Sequence, residues 1–290
     1  MEDKKNNKRS MAMLIASMAI WGSIGIFRRY IPLPSSVLAA SRGLVGTAFL
    51  IVFLRLRGRG VHANLTGRQI VWYALCGALM GIDWILLFDA YNYTSVAVAT
   101  LCYYTMPVFV TLGSVLLFGE KPTVKKAVCI AVCILGMLLV TGVLGSGLPG
   151  PDELRGILLS LAAAVVYAAV VLMNKKMSGV DAYGKTIVQL LASSLALLPY
   201  VLLTEDLGAL PLSGRTLIML LVVGIVHTGI AYALYFGCID ALKAQTVAIF
   251  GYLDPIVAVL LSVALLGEPL TAPIAAGVIL VIGGAIASET

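Results

Sequence analysis

Charge is scarce in this chain. Asp, Glu, Lys and Arg make up only 12% of its 290 residues, against about 25% in an ordinary water-soluble domain, so it cannot cover a water-facing surface of the size its length implies. Hydrophobic residues reach 60% and mean hydropathy is +1.02. The five cysteines, Cys76, Cys102, Cys129, Cys133 and Cys238, are odd in number and lie in apolar runs, which leaves no readable disulfide framework. Cys129 and Cys133 stand four apart with no histidine or carboxylate on their run, so core packing is expected there, and neither a metal nor a cofactor is expected anywhere. The net charge of +6 is scattered between apolar runs and builds no basic face, which excludes nucleic acid as a partner. The partner these numbers demand is the lipid bilayer.

A spanning helix needs roughly 20 apolar residues. Ten runs qualify: about 11–30, 35–56, 69–90, 94–118, 124–144, 155–176, 183–203, 215–236, 243–266 and 271–288. The first 27 residues imitate a secretory signal, but Trp21-Gly22-Ser23 and the following Arg28-Arg29 offer no small-residue cleavage site, so a retained first helix is expected. With a cytoplasmic N-terminus, fifteen basic residues fall on the cytoplasmic side: Lys4, Lys5, Lys8, Arg9, Arg55, Arg57, Arg59, Arg68, Lys121, Lys125, Lys126, Lys175, Lys176, Lys185 and Lys243. Four, Arg28, Arg29, Arg155 and Arg215, fall on the other side, and Arg42 lies within a helix. This bias follows the positive-inside rule and predicts an all-α polytopic protein of the cytoplasmic membrane with both termini cytoplasmic.

Shifted by 148 residues against itself, the chain matches eight of the 17 positions from 104 to 120: Tyr104, Pro107, Leu112, Ser114, Val115, Leu117, Gly119 and Glu120. A shift of 146 brings Trp21 onto Tyr167 and Arg28 onto Asn174. The reading is a duplicated five-helix unit: a tail at 1–10, a first repeat at 11–146 and a second at 155–288. An odd number of helices per unit inverts the second copy, and inverted repeats carry a midplane substrate site in alternating-access transporters.

The 5+5 plan, Trp21-Gly22 in the first helix, Arg42 in the second, and the paired segments Pro107 to Glu120 and Pro255 to Glu268 resemble the EamA-type members of the drug/metabolite transporter superfamily. Gly119-Glu120-Lys121-Pro122 is the most specific feature, and the second copy departs from it by one residue, as Gly267-Glu268-Pro269. The resemblance implies a secondary transporter of small organic solutes with a central cavity.

Pro107 and Pro255 fall mid-run, where proline removes a backbone hydrogen bond and kinks a helix, and both are expected to act as hinges of the shared scaffold. Glu120 and Glu268 fall in turns, where capping a helix or neutralising a base is the simpler role. Residues that break the repeat say more. Asp254 aligns with Met106, Asp83 with Ala231 and His227 with Leu79, and a charge at the centre of a spanning helix costs roughly 2.5–3.5 kcal/mol. Arg42 and Asp83 lie at similar depth, so an ion pair between them is expected, with a gate or a substrate-anion contact for Arg42 as the alternative. His227 and Asp254 lie near the midplane, where they are expected to meet each other or one substrate and to exchange a proton with it. Trp21, Tyr104, Tyr167, Tyr232 and Tyr252 are too deep for an interfacial belt, and either line a pocket that holds a flat or cationic group or pack the core.

These features point to a transporter of a small amine-containing metabolite, such as an amino acid or related zwitterion, coupled to protons. An uncoupled facilitator in which Asp254 binds the amine is the second transport reading. An enzyme fits poorly: Gly81-Ile82-Asp83 and Tyr252-Leu253-Asp254 lack the Gly-x-Gly-Asp pattern of membrane aspartyl proteases, no Gly-x-Ser-x-Gly is present, and no catalytic residue is assigned. A structural role requires neither an inverted repeat nor midplane charge.

Overall fold

The computed structural model describes residues 2–58, 65–119, 123–141, 149–177, 180–238, 241–242, 247 and 250–289, apart from the side chains of 2–7, 126, 285 and 288–289. Every regular element among them is helical: α1 (Glu2–Gly22), α2 (Ile24–Tyr30), α3 (Ser35–Leu56), α4 (Gly67–Tyr93), α5 (Val96–Tyr103), α6 (Met106–Phe118), α7 (Val124–Val140), α8 (Pro151–Lys176), α9 (Ala182–Thr204), α10 (Gly214–Val222), a π-helical segment (Val223–Ile230), α11 (Ala231–Cys238), α12 (Leu253–Leu266) and α13 (Ala272–Glu289). Seven segments are long and apolar enough to cross a membrane, namely Lys8–Tyr30, Ser35–Leu56, Gly67–Tyr93, Val96–Phe118, Pro151–Lys176, Ala182–Thr204 and Gly214–Cys238. Shorter apolar helices, Ala127–Val140, Leu253–Leu266 and Ala272–Gly284, occupy the other three expected runs. At about 1.5 Å per residue, α12 alone falls short of a bilayer core of about 30 Å, because the chain breaks before it at Tyr252.

The helices start where local chemistry directs. Thr66 opens α4 with a capping box: its hydroxyl accepts from Gln69 N–H, and Gln69 Oε1 accepts from Thr66 N–H at 2.8 Å. Ser95 and Asp181 cap α5 and α9 through Val98 N–H at 3.0 Å and Gly184 N–H at 2.7 Å. Each bond satisfies a donor that the first helical turn leaves open.

Pro107 and Pro255 do not kink continuous helices. The chain breaks at Tyr104-Thr105 and at Tyr252, and each proline sits in the first turn of the helix that follows, where its missing N–H costs nothing. The break is closed locally, as Thr105 Oγ1 donates to Cys102 O at 2.6 Å and Val108 N–H to Thr105 O at 2.9 Å. Both following helices end in the same way, on Gly119 at φ +66° and Gly267 at φ +68°, a left-handed cap that only glycine adopts without strain. The two ends are 148 residues apart, the offset of the repeat.

Packing is inside-out relative to a soluble protein. Leu116, Leu203 and Ile279 are exposed, while Ser17, Ser160, Ser193, Ser194, Thr228 and Ser262 are buried, as expected where the solvent is hydrocarbon and polar groups must be satisfied internally. Helix α4 lies between α8 and α9, α3 packs on α9 and the π-helical segment, α1 packs on α11 and α12, and α7 pairs with α13. The small-residue faces serve contacts within the chain: Gly43 meets Ser194 and Leu190, Gly46 meets Thr228, and Gly277 meets Gly136. Cys129 and Cys133 are buried against α13, and Cys133 Sγ reaches Val281 O at 3.5 Å.

Candidate substrate cavity

A cavity of about 540 Å³ lies at the centre of the bundle, with walls drawn from both halves of the sequence. Eight of the nine expected binding or coupling residues line it: Trp21, Arg42, Asp83, Tyr104, Tyr167, Tyr232, Tyr252 and Asp254; so does Pro107. Pro255 is buried behind the wall.

The aromatic lining comes from helix ends and breaks. Trp21, one residue before the close of α1, stands 5.2 Å from Tyr232 and 5.4 Å from Tyr235 on α11, centroid to centroid. At the α5–α6 break, Tyr103 lies 5.9 Å from Tyr104 and 5.8 Å from Tyr167 of α8, and Tyr104 lies 6.3 Å from Tyr252. These spacings suit offset and edge-to-face aromatic pairs. Tyr103 is the last residue of α5 and Tyr104 its cap, whose N–H still donates to Thr100 O at 2.9 Å, and both line the cavity. The sequence signal for Tyr103 was its place next to Tyr104 at the end of an apolar run.

Asp254 enters the cavity from the first turn of α12, on a wall that it shares with Tyr104. Its backbone is met by α1: a Cβ on Gly22 would stand 2.4 Å from Asp254 O and 2.8 Å from Val257 Cβ. Only glycine permits that approach.

His227 does not join Asp254. It lies in the π-helical segment behind the wall, where its Nε2 is 2.9 Å from Ser23 Oγ and its ring is edge-on to Phe27 at 4.6 Å. Ser23 Oγ also lies 2.8 Å from Ile20 O, so the serine hydroxyl ties the His227 ring to the end of α1. The wider turn of a π-helix also displaces a carbonyl. Ala231 N–H reaches Val226 O and Thr228 O, and the His227 carbonyl between them accepts the Trp21 indole N–H at 3.0 Å.

The expected Arg42–Asp83 ion pair is absent among the described residues. Arg42 Nε donates to Thr228 Oγ1 at 3.1 Å, and the guanidinium lies 4.1 Å above the centre of the Trp84 ring and 5.4 Å from that of Phe88. Stacking on Trp84 therefore holds Arg42 away from the residue that precedes Trp84 in sequence. Asp83 is 1% exposed and has no hydrogen bond to Oδ1 among the described residues.

Arg28, also buried, is committed elsewhere. It donates to Phe88 O at 3.3 Å, Ile31 O at 2.9 Å and Ser35 Oγ at 3.1 Å, and Ser35 in turn donates to Asp89 at 2.6 Å. Close by, Glu268 accepts from Val96 N–H at 2.8 Å and Ala97 N–H at 3.1 Å, capping α5, while Arg29 stands 3.7 Å from Glu268 and donates to Thr94 O at 2.7 Å. Glu268 thus both caps a helix and neutralises a base, though the helix belongs to the other half of the chain. Its counterpart Glu120 lies outside the described residues. Toward the opposite end of the bundle the cavity wall carries Lys185, Asn174 and Gln189, none of them expected to contribute to it; Gln189 donates to Asn174 Oδ1 at 3.0 Å.

A family model described as the EamA-like transporter family matches residues 8–142 and again 154–289. An "Uncharacterized transporter YxxF" of Bacillus subtilis (strain 168) is 31% identical over 264 residues, covering 91% of this chain and 84% of that protein. "Protein RarD" of Salmonella typhi is 25% identical over 279 residues, covering 92% and 89%. A solved crystal structure of a protein superposes with a TM-score of 0.68 at 20% identity over 97% of this chain and 96% of that one, a likeness of fold alone.

Proposed function

The chain belongs to the EamA-like transporter family, and from that premise we propose that it is a secondary transporter that moves a small amine-containing metabolite, an amino acid or related zwitterion, across the cytoplasmic membrane by alternating access. The observation that carries this reading is the central cavity, where an acid and aromatic side chains from both repeats face one space large enough for a small metabolite. In this reading ten helices cross the bilayer as two inverted five-helix repeats, both termini are cytoplasmic, and no chemistry is performed on the solute.

The placement of Arg28, Arg29, Thr94 and Glu268 closes the end that the charge bias assigns to the outside. In this reading Lys185 and Asn174 lie toward the cytoplasmic end of the cavity. Asp254, which lines the cavity beside Tyr104, is the residue through which a proton couples to transport. His227, one layer behind the wall, is a support of α1 and not a relay partner. Because Asp254 lacks that partner, direct capture of the substrate amine by Asp254 without a coupling proton is the second reading.

Purified protein in liposomes, challenged with a panel of amino acids, amines, nucleosides and organic acids while internal pH is recorded, separates the two. Proton flux evoked by one solute class and abolished by Asp254→Asn supports coupling. Solute exchange without proton movement, lost in Asp254→Asn, supports direct capture. If no solute moves through the folded wild-type protein, the transport reading is wrong.

A further inference from the structure

Two opposite charges line one cavity, and each is turned from the other by its own neighbours. Arg42 spends Nε on Thr228 Oγ1 and its face on Trp84, and Nε makes its one hydrogen bond among the described residues. Thr228 is itself fixed, because its hydroxyl donates to Val223 O at 3.2 Å, a bond to the fifth residue back that the π-helical turn supplies. Across the same cavity Asp83 Oδ1 is buried and unpartnered. Burying a charge with open hydrogen-bonding capacity is costly, and a direct ion pair would have relieved both residues at once. The fold keeps them apart.

We propose that Arg42 and Asp83 are the two poles of a zwitterion receptor, in which Nη1 and Nη2 of Arg42 take the substrate carboxylate and the Asp83 carboxylate takes its ammonium. The assignment rests on the transport reading above and adds the residues that set its specificity. A guanidinium held flat by an aromatic ring and anchored at Nε presents the fork that matches a carboxylate, and its orientation is settled before the substrate arrives. A ligand with only one charge satisfies one pole and leaves the other buried and open. Selectivity for the doubly charged molecule then follows from the penalty on its analogues. Asp254 and Tyr104 are not part of this pair, so coupling and charge selection are separable.

The test compares leucine with 3-methylbutylamine and 4-methylpentanoate, and phenylalanine with phenethylamine and 3-phenylpropionate, as solutes for reconstituted wild-type protein and for Arg42→Gln, Arg42→Lys and Asp83→Asn. Monodispersity and thermal unfolding in detergent identify folded variants, and Arg42→Lys keeps the charge without the fork should Arg42→Gln fail to fold. The expected result is that an amino acid is moved by the wild-type protein at least about 100-fold more efficiently than its amine or its acid. Arg42→Gln or Arg42→Lys then lowers that preference over the amine by about tenfold or more, and Asp83→Asn lowers the preference over the acid. If the amines or acids move as well as the amino acids, or the preference survives in folded Arg42 variants, the receptor is overturned while the transport reading stands. If the wild-type protein moves other members of the wider panel and neither amino acid, the receptor is again overturned. A folded wild-type protein that moves nothing overturns both.

Discussion

Trp21 joins three features of the site through one side chain. Its ring faces the cavity, its edge packs on Tyr232 and Tyr235, and its indole N–H holds the His227 carbonyl that the π-helical turn displaces. Trp21→Phe keeps an aromatic ring and leaves that carbonyl unpartnered, so unfolding in detergent should show a loss of about 1–3 kcal/mol; an unchanged midpoint would mean that the bond carries no weight. Ser23→Ala removes the hydroxyl that pairs with His227 Nε2 and should cost about as much. The sequence marked Asp254, Asp83 and Arg42 as charged interruptions of apolar runs, and all three line the cavity. Direction around the bundle was not legible. Arg42 stacks on Trp84 in place of pairing with Asp83, and His227 sits in a π-helical turn against Ser23.

Among the elements, the interrupted helices were the part that apolar periodicity hid. Runs 94–118 and 243–266 look continuous in hydropathy, yet the chain breaks at Tyr104-Thr105 and at Tyr252, and the paired prolines mark starts of helices. A proline in a first turn replaces no hydrogen bond, so Pro107→Ala should change stability by only about 0.4–1 kcal/mol, measured by chemical unfolding in detergent, and far less than the roughly 3 kcal/mol of a mid-helix proline. Gly119 and Gly267 carry the opposite expectation. Alanine at either left-handed cap should destabilise by about 1–2 kcal/mol, and similar costs at the two sites would reflect their equivalence in the repeat. That equivalence could be read from the sequence because Tyr, Pro, Ser and Gly-Glu recur at one offset, whereas the helix Glu268 caps could not, since no pattern along one strand of text records a contact between halves.

For the whole molecule, Glu268 links the halves. It reaches from the α12–α13 turn to the N-terminus of α5 and to Arg29, the one salt bridge among the described residues. Glu268→Gln keeps the shape and removes the charge that favours a helix N-terminus, so this end of the bundle should open more often. The expected outcome is faster labelling of a Thr94→Cys probe by a membrane-impermeant maleimide in Glu268→Gln than in the protein with Glu268 intact; equal labelling would remove Glu268 from the closure. At the other crossing of the halves, the Gly22 backbone rests on the carbonyl of Asp254 with no side chain between them. The Val257 side chain shares that contact, so any side chain added at position 22 would wedge α1 and α12 apart directly behind the residue that faces the cavity.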